Sequence, residues 1–126
     1  ERLPKSIRCD LSKLEKCEFI QWCRKAPQLV SEPLWFGLIT NLAYLESGIA
    51  LIHGISRLDK CRYDNFNTHR LIQRGLYTKY KPVLCSNLVS LDSTGLEQDR
   101  FHCSRINQCP AKAPMYLATL RTVYKR

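Results

Sequence analysis

Four cysteines are the residues of this 126-residue chain with the clearest chemical potential. Cys17 lies near the beginning, and Cys85, Cys103 and Cys109 follow in the last third. Thiolates are soft ligands that suit zinc or an iron–sulfur cluster. One early ligand and a late group would tie the two ends of a small domain together. The pattern therefore predicts a buried metal centre ligated by these four cysteines.

The spacing of the cysteines bears on which metal they would bind. Zinc ribbons usually present their ligands in two C-x-x-C pairs, and this sequence contains no C-x-x-C. A dispersed set of four is compatible with the larger [4Fe–4S] cluster, with zinc as the alternative. His102, which neighbours Cys103, is a candidate to replace one thiolate.

The other three cysteines are predicted to be bystanders. Cys9 lies among charged residues, and Cys61 falls in a predicted loop. Cys23 follows Cys17 by six residues, so the two cannot easily share a site on one helix unless that helix breaks. The odd total of seven favours an intracellular, cytoplasmic metal protein over a secreted disulfide scaffold, which is the other interpretation.

The chain is strongly basic, with a net charge of +9 from 20 Lys and Arg against 11 Asp and Glu. The charge is concentrated in residues 60–82, where Asp64 is the single acidic residue, and in residues 111–126, which have none. Such a field favours polyanionic partners, chiefly nucleic acid, over the alternative of a merely soluble basic surface. No apolar stretch approaches the roughly 20 residues of a membrane span, so no membrane partner is expected.

The apolar spacing predicts an all-α, mostly helical single domain over residues 1–126, with an irregular cysteine-ligated loop at 92–110. The chain begins without Met, and one interpretation is that it is a fragment of a longer protein. The predicted helices run from a cap at Asp10 or Ser12 to about Lys25, from Ser31 to Leu45, from Ile49 to about Leu58, from a cap at Asn67 or Thr68 past Leu76, from Cys85 to about Leu91, and from Met115 to Tyr124.

Several of these helices carry specific burial predictions. The second has a wide apolar face from Leu34 to Leu45 and is expected to be central. The last segment, Met115 to Tyr124, is predicted as a helix, with a strand as the alternative. The third helix is predicted to bury Ile49, Ile52 and Ile55, and the fourth Leu71, Ile72, Gly75 and Leu76.

The order of several short motifs resembles one known domain. Cys17-Glu18-Phe19-Ile20 is followed by Tyr80-Lys81-Pro82-x-x-Cys85, by Cys103 and by Cys109-Pro110. This order resembles the carboxy-terminal iron–sulfur domain of the large subunit of archaeo-eukaryotic DNA primases. The resemblance covers about residues 15–115.

The central stretch resembles a related module found in primase-polymerases and helicase-primases of phages, plasmids and CRISPR-associated loci. The similar text here is Glu32-Pro33-Leu34-Trp35, His53-Gly54-Ile55-Ser56-Arg57 and Cys109-Pro110-Ala111-Lys112-Ala113-Pro114.

The resemblance implies an accessory domain of a DNA primase or primase-polymerase, and on the fragment interpretation the longer protein is a primase-polymerase. Such a domain binds the single-stranded DNA template and the initiating nucleoside triphosphate, and it helps present them to a primase catalytic domain or subunit. The implied cofactor is a [4Fe–4S] cluster. The alternative function is a zinc-stabilised nucleic-acid-binding module of a mobile-element replication protein, without a primase role.

One segment has the composition of a nucleic-acid contact. Its cations can hold phosphates while tyrosines between them stack on bases. The alternatives are a solvated helix face for the arginines and packing under a loop for the tyrosines. Arg57 and Lys112 are further candidates through their motif contexts. The residues of the segment are Arg70, Arg74, Tyr77, Lys79, Tyr80 and Lys81.

Catalysis by this chain alone is not expected. Nucleotidyl transfer with two metal ions needs clustered carboxylates. Asp92, Glu97 and Asp99 form the densest group, but they fall in a predicted loop without the strands that usually support such sites. We expect the chain to act as part of a nucleotidyltransferase system.

Overall fold

The fold of the described residues is helical, which confirms the predicted class. The computed structural model describes residues 6–61, 63–91 and 101–119. Apart from helices, regular structure in these ranges consists of one isolated parallel bridge between Ile7 and Leu45. Two 3₁₀ helices span Leu11–Lys16 and Pro27–Leu29, and the α-helices are α1 (Glu18–Lys25), α2 (Glu32–Leu42), α3 (Gly48–Ser56), α4 (Asn65–Thr78), α5 (Cys85–Leu91) and α6 (Pro114–Thr119).

The central position predicted for the second helix is confirmed. Helix α2 packs against α3, α4, α5 and α6. Its buried side chains include Leu34, Leu38 and Leu42, each fully shielded from solvent. The helix ends at Leu42, earlier than predicted, yet Leu45 beyond it is still buried.

A buried amide joins α2 to the segments on either side of the later cysteines. The Asn41 side chain donates from Nδ2 to the carbonyl oxygen of Val83 at 3.0 Å and to that of Gly37 at 2.9 Å. Its Oδ1 accepts from the backbone N–H of Met115 at 2.9 Å. A buried polar group persists only when such bonds satisfy it. Asn41 therefore fixes the chain just before Cys85 and just after Cys109.

The single helix predicted from Asp10 or Ser12 to Lys25 is wrong in one respect, since the chain breaks at Cys17. Cys17 has an extended backbone, with φ −80° and ψ 120°, between the first 3₁₀ helix and α1. Asp10 does cap the first element, and its side chain accepts from the backbone N–H of Ser12 at 3.1 Å. The break gives Cys17 the first position before α1 rather than a place within a helix.

The predicted start of the fourth helix is also wrong. Helix α4 begins at Asn65, because the Asp64 side chain accepts from the backbone N–H groups of Phe66 and Asn67 at 2.9 and 3.3 Å. Ile72 and Leu76 are buried as predicted, but Leu71 is 44 % exposed.

Two further predictions concern the third and last helices. Ile52 and Ile55 are buried in α3, whereas the predicted burial of Ile49 is wrong, since 38 % of that side chain is exposed. The final segment is helical over Pro114–Thr119, which favours the helix over the strand there. Residues 120–124 of that prediction, and residues 92–100 of the predicted loop, lie outside the described residues.

Candidate metal centre and adjoining basic surface

Cys17 is the capping residue at the N-terminus of α1. Burial raises the pKa of the Cys17 thiol, and hydrogen bonds from the N–H groups of Ile20 and Phe19 oppose that shift. The negative charges of Cys103 and Cys109 raise the pKa further. N–H groups that point at a sulfur stabilise its thiolate, which is the form that binds metal.

Cys85 is the first residue of α5, and its backbone is tied to the chain that follows Cys109. The Cys85 N–H donates to the carbonyl oxygen of Lys112 at 2.7 Å. Burial raises the pKa of the Cys85 thiol to about 11, with added contributions from the charges of Cys17, Cys103 and Cys109. Each of the other three cysteines is therefore near enough to Cys85 to act on it electrostatically.

The loop that bears Cys103 and Cys109 is attached to α1. Phe101 is buried against Phe19, with ring centroids 5.2 Å apart at a 65° angle, and also meets Trp22. The Ser104 hydroxyl donates to Glu18 at 2.7 Å, and its backbone N–H donates to the same carboxylate at 3.2 Å. These contacts hold the loop beside Cys17.

A turn brings the last cysteine back toward the others. The N–H of Cys109 donates to the carbonyl oxygen of Arg105 at 2.8 Å. Residues 101–113 contain turns but neither helix nor strand, in agreement with the predicted irregular loop.

The four predicted ligands lie on three separate segments of the chain, and the charges of Cys17, Cys103 and Cys109 each act on Cys85. Their donor set is four half-buried thiols, which suits soft metals and iron–sulfur clusters. Among the described residues, no group of three or more His, Cys, Asp or Glu side chains is arranged to hold a metal ion, so ligation by the four cysteines stays a prediction. A tetrahedral zinc with Zn–S bonds of about 2.3 Å requires sulfurs only about 3.8 Å apart. An iron–sulfur cluster is larger and separates its ligands more widely.

The three predicted bystander cysteines occupy different surroundings. Cys23 is completely buried in the hydrophobic core, and burial strongly raises the pKa of its thiol. The Cys9 thiol donates to the carbonyl oxygen of Glu46 at 3.8 Å. Cys61 is exposed, and none of the seven cysteines forms a disulfide. His102, the candidate substitute ligand, has an exposed side chain.

The predicted basic segment forms a surface on α4 and the residues that follow it. Arg70, Arg74 and Tyr77 recur at helical spacing on α4, and all three are exposed. Arg70 and Arg74 line a shallow pocket of about 240 Å³. We call the six predicted residues the basic surface: Arg70, Arg74, Tyr77, Lys79, Tyr80 and Lys81.

Beyond α4 the basic surface continues into an open groove of about 510 Å³. Lys79 ends the helix in the left-handed region, with φ 55°, which turns the chain sharply. Lys79, Tyr80 and Lys81 line this groove together with Pro82 and Met115. Pro82 lies three residues before Cys85, so the groove adjoins the segment that carries this cysteine.

Arg57 and Lys112 lie on other elements than the two arginines of α4. The Arg57 guanidinium lies 5.6 Å from the centre of the Tyr63 ring, in a cation–π contact beside α3. Lys112 is exposed, and its carbonyl oxygen holds the Cys85 N–H. Asp92, Glu97 and Asp99, the carboxylates considered for catalysis, lie outside the described residues.

Sequence reasoning missed two aromatic residues on α2. Trp35 and Phe36 line a cavity that also includes Arg74 and Tyr80 from the basic surface. Phe36 is 41 % exposed although it belongs to the most buried helix. Its position on an apolar helix gave no signal for a surface role, because exposure there depends on where α4 lies.

None of the helices in the described part of the chain has the length and apolar character needed to cross a bilayer. Comparison with protein-family models, with curated proteins and with solved structures finds no match.

Proposed function

We propose that this chain is an accessory domain of a DNA primase or primase-polymerase. It binds the single-stranded DNA template and the initiating nucleoside triphosphate, and it supports primer synthesis by a catalytic domain or subunit in the cytoplasm. The observation that supports the proposal is that Cys17, Cys103 and Cys109 all act electrostatically on Cys85 in a chain that also has the basic surface. That combination is what the resemblance to primase large subunits implies.

The four cysteines would hold a [4Fe–4S] cluster. Their dispersed spacing, which contains no C-x-x-C pair, favours a cluster over zinc. The cluster would supply a rigid cross-link between α1, α5 and the 101–109 loop. In this role it is structural, and it fixes the frame that carries the basic surface.

The basic surface suits both proposed ligands, because template and triphosphate are polyanions. Arg74, Lys79 and Lys81 offer charge for phosphates, and the exposed rings of Tyr77 and Tyr80 can stack on bases. Neither phosphate binding nor base stacking needs a catalytic residue from this chain, which agrees with the proposed accessory role.

The test begins with protein purified without oxygen and analysed for iron, acid-labile sulfide and zinc. We expect about four irons and four sulfides per chain, in proportion to the cluster stoichiometry. One zinc and no sulfide would instead support the zinc-stabilised nucleic-acid-binding module. The primase role is then tested by adding the chain to a primase catalytic subunit. Primer synthesis should start at lower nucleotide concentrations with the chain than without it. Unchanged initiation in the presence of bound template would contradict it.

A further inference from the structure

A groove between α2 and α4 opens beside the basic surface. Its volume is about 260 Å³, just below the roughly 300 Å³ at which pockets for drug-sized ligands begin. The space suits one flat group of nucleobase size. We call it the α2–α4 groove, and the lining residues that matter here are Glu32, Trp35, Phe36, Leu71, Arg74 and Tyr80.

The walls of the groove are aromatic and partly open to solvent. The rings of Phe36 and Tyr80 meet edge to face, with centroids 5.0 Å apart at 76°. Phe36, Leu71 and Tyr80 are 41 %, 44 % and 43 % exposed, so an apolar surface is left uncovered. Base–aromatic stacking uses such surfaces and tolerates any base, since every base has a flat face.

Charged side chains of both signs line the groove. Tyr80 also lines the open groove that contains Lys79 and Lys81, and Arg74 lies between these lysines and Leu71 in sequence. Glu32, in contrast, also lines a smaller cavity of about 100 Å³ that contains Asp59 and Asp64. Arg74 and the lysines of the adjoining open groove therefore attract phosphates, and Glu32 repels them.

We propose that the α2–α4 groove holds one base of a bound DNA single strand, with the neighbouring phosphates on Arg74, Lys79 and Lys81. The inference rests on the proposed function, that the chain binds single-stranded DNA. It adds a defined base-binding site and assigns Trp35 and Phe36 to it. The strand enters along the open groove and turns one base inward past Tyr80.

Intrinsic fluorescence tests the groove directly, because the chain has two tryptophans. In a Trp22→Phe variant the remaining fluorescence reports on Trp35, which lines the groove. We expect a labelled oligodeoxyadenylate to bind and to quench Trp35. An abasic deoxyribose-phosphate strand of the same length and charge should bind about tenfold more weakly and leave Trp35 unquenched.

A matched pair of aromatic variants shows whether the affinity for bases comes from the α2–α4 groove. Phe36→Ala should weaken oligodeoxyadenylate binding about tenfold and leave binding of the abasic strand unchanged. Phe66 is the control, since it is 70 % exposed on α4 and does not line the groove. Phe66→Ala should change neither affinity. The exposure of both side chains permits substitution without loss of the core.

The outcomes separate this inference from the function on which it rests. Oligonucleotide binding without quenching of Trp35, or equal affinity for the abasic strand, would overturn the groove assignment and leave DNA binding intact. Absence of binding to either strand, measured by fluorescence anisotropy, would overturn both. Quenching by deoxyadenosine monophosphate as strong as by the oligonucleotide would identify a free nucleotide as the occupant and overturn the strand assignment.

Discussion

The acidity of a thiol depends on its surroundings. Cys17 and Cys85 are both partly buried and close enough to other cysteines to be affected by their charge. Burial and the charges of neighbouring thiolates raise the pKa of both Cys17 and Cys85. Both are therefore protonated at neutral pH when no metal is bound. A metal or cluster must displace these protons, so loading of the centre releases protons and is favoured as the pH rises.

Loss of one ligand should disable the centre. We expect Cys85→Ser to lower cofactor affinity by more than the roughly 10- to 100-fold that loss of a second-shell partner costs, and to lower the folded yield. Iron and sulfide analysis together with circular dichroism measures both effects. Cys61→Ser is the control, since Cys61 is exposed and should be silent. A well-folded Cys85→Ser protein with full cofactor content would show that Cys85 is not a ligand.

The basic surface predicts a defined response to salt. Single-stranded DNA affinity falls with salt in proportion to the number of phosphates neutralised, with a logarithmic slope of about −0.7 for each. Arg74→Ala and Lys81→Ala should each make that slope less negative by about 0.7. Lys25→Ala, an exposed change on α1, should leave the slope unchanged. Equal slopes for all three variants would place the phosphate contacts elsewhere.

At the residue scale, the sequence indicates the types and order of the candidate functional residues better than it indicates their surroundings in the fold. Spacing and context select Cys17, Cys85, Cys103 and Cys109 over Cys9, Cys23 and Cys61 as ligands, and that selection stays a prediction. Trp35 and Phe36 could not be selected in this way, because only the packing of α2 against α4 decides which apolar residue stays at the surface. Whether the thiols hold a cluster is still a prediction.

The first residue of a helix is not fixed by local chemistry when several neighbouring residues can each cap it. Asp64, Asn67 and Thr68 are all good capping residues, so composition alone offers several starts for α4. The structure uses Asp64, next to a Tyr63 hydroxyl that bonds His53 on α3 and Asn65 on α4. That tertiary contact lies at the start of α4 and was invisible in the sequence.

Two glycines of α3 should respond oppositely to alanine. A Cβ on Gly48 would lie 1.8 Å from the carbonyl oxygen of Leu42, a backbone atom that cannot move aside cheaply. Gly54 has open space around it, so alanine there improves helix propensity by up to about 1 kcal/mol. We expect Gly48→Ala to lower the free energy of unfolding by at least about 1 kcal/mol and Gly54→Ala to raise it. Urea unfolding measures both, and equal effects would contradict the close approach at Gly48.

His53, which bonds the Tyr63 hydroxyl between α3 and α4, should make the free energy of unfolding depend on pH. Burial, then the positive charges of Arg57 and His69, lowers the pKa of His53 from its unperturbed value of 6.5. The folded state then takes up this proton less readily than the unfolded state. The contribution of neutral His53 to the free energy of unfolding is complete above pH 6.5. It is lost as the pH falls through the lowered folded-state pKa of His53.

The His53→Gln variant isolates this effect. The difference in unfolding free energy between the parent and the variant should shrink as the pH falls from 7 to 5, since protonation penalises only the parent. Comparing the two proteins at each pH cancels contributions from the cysteines, which both retain. His102→Gln serves as the control, because His102 is exposed and is not among the charges that act on His53. A difference that does not change with pH would show that His53 is not the titrating group.

Across the whole molecule, the centre and the basic surface share a framework. Asn41 bonds Val83 and Met115, and the Cys85 N–H bonds Lys112. Pro82 and Met115 then form one side of the open groove. The all-α architecture could be predicted because each apolar face has helical spacing. This shared framework could not, because it depends on contacts between residues as far apart in sequence as Asn41 and Met115.

Removal of the cofactor should therefore weaken DNA binding from a distance. Oxidation followed by chelation would remove the proposed cofactor from Cys17, Cys85, Cys103 and Cys109, and the 101–109 loop would then be held to α1 only by its contacts with Phe19, Trp22 and Glu18. We expect the helical signal to fall and the affinity for single-stranded DNA to drop about tenfold or more, because the open groove loses its fixed edge. An Arg74→Ala/Lys81→Ala double variant separates the two functions, since it should bind DNA weakly while keeping its full cofactor content. Stripped protein that retains its fold and its DNA affinity would show that the centre does not support the basic surface.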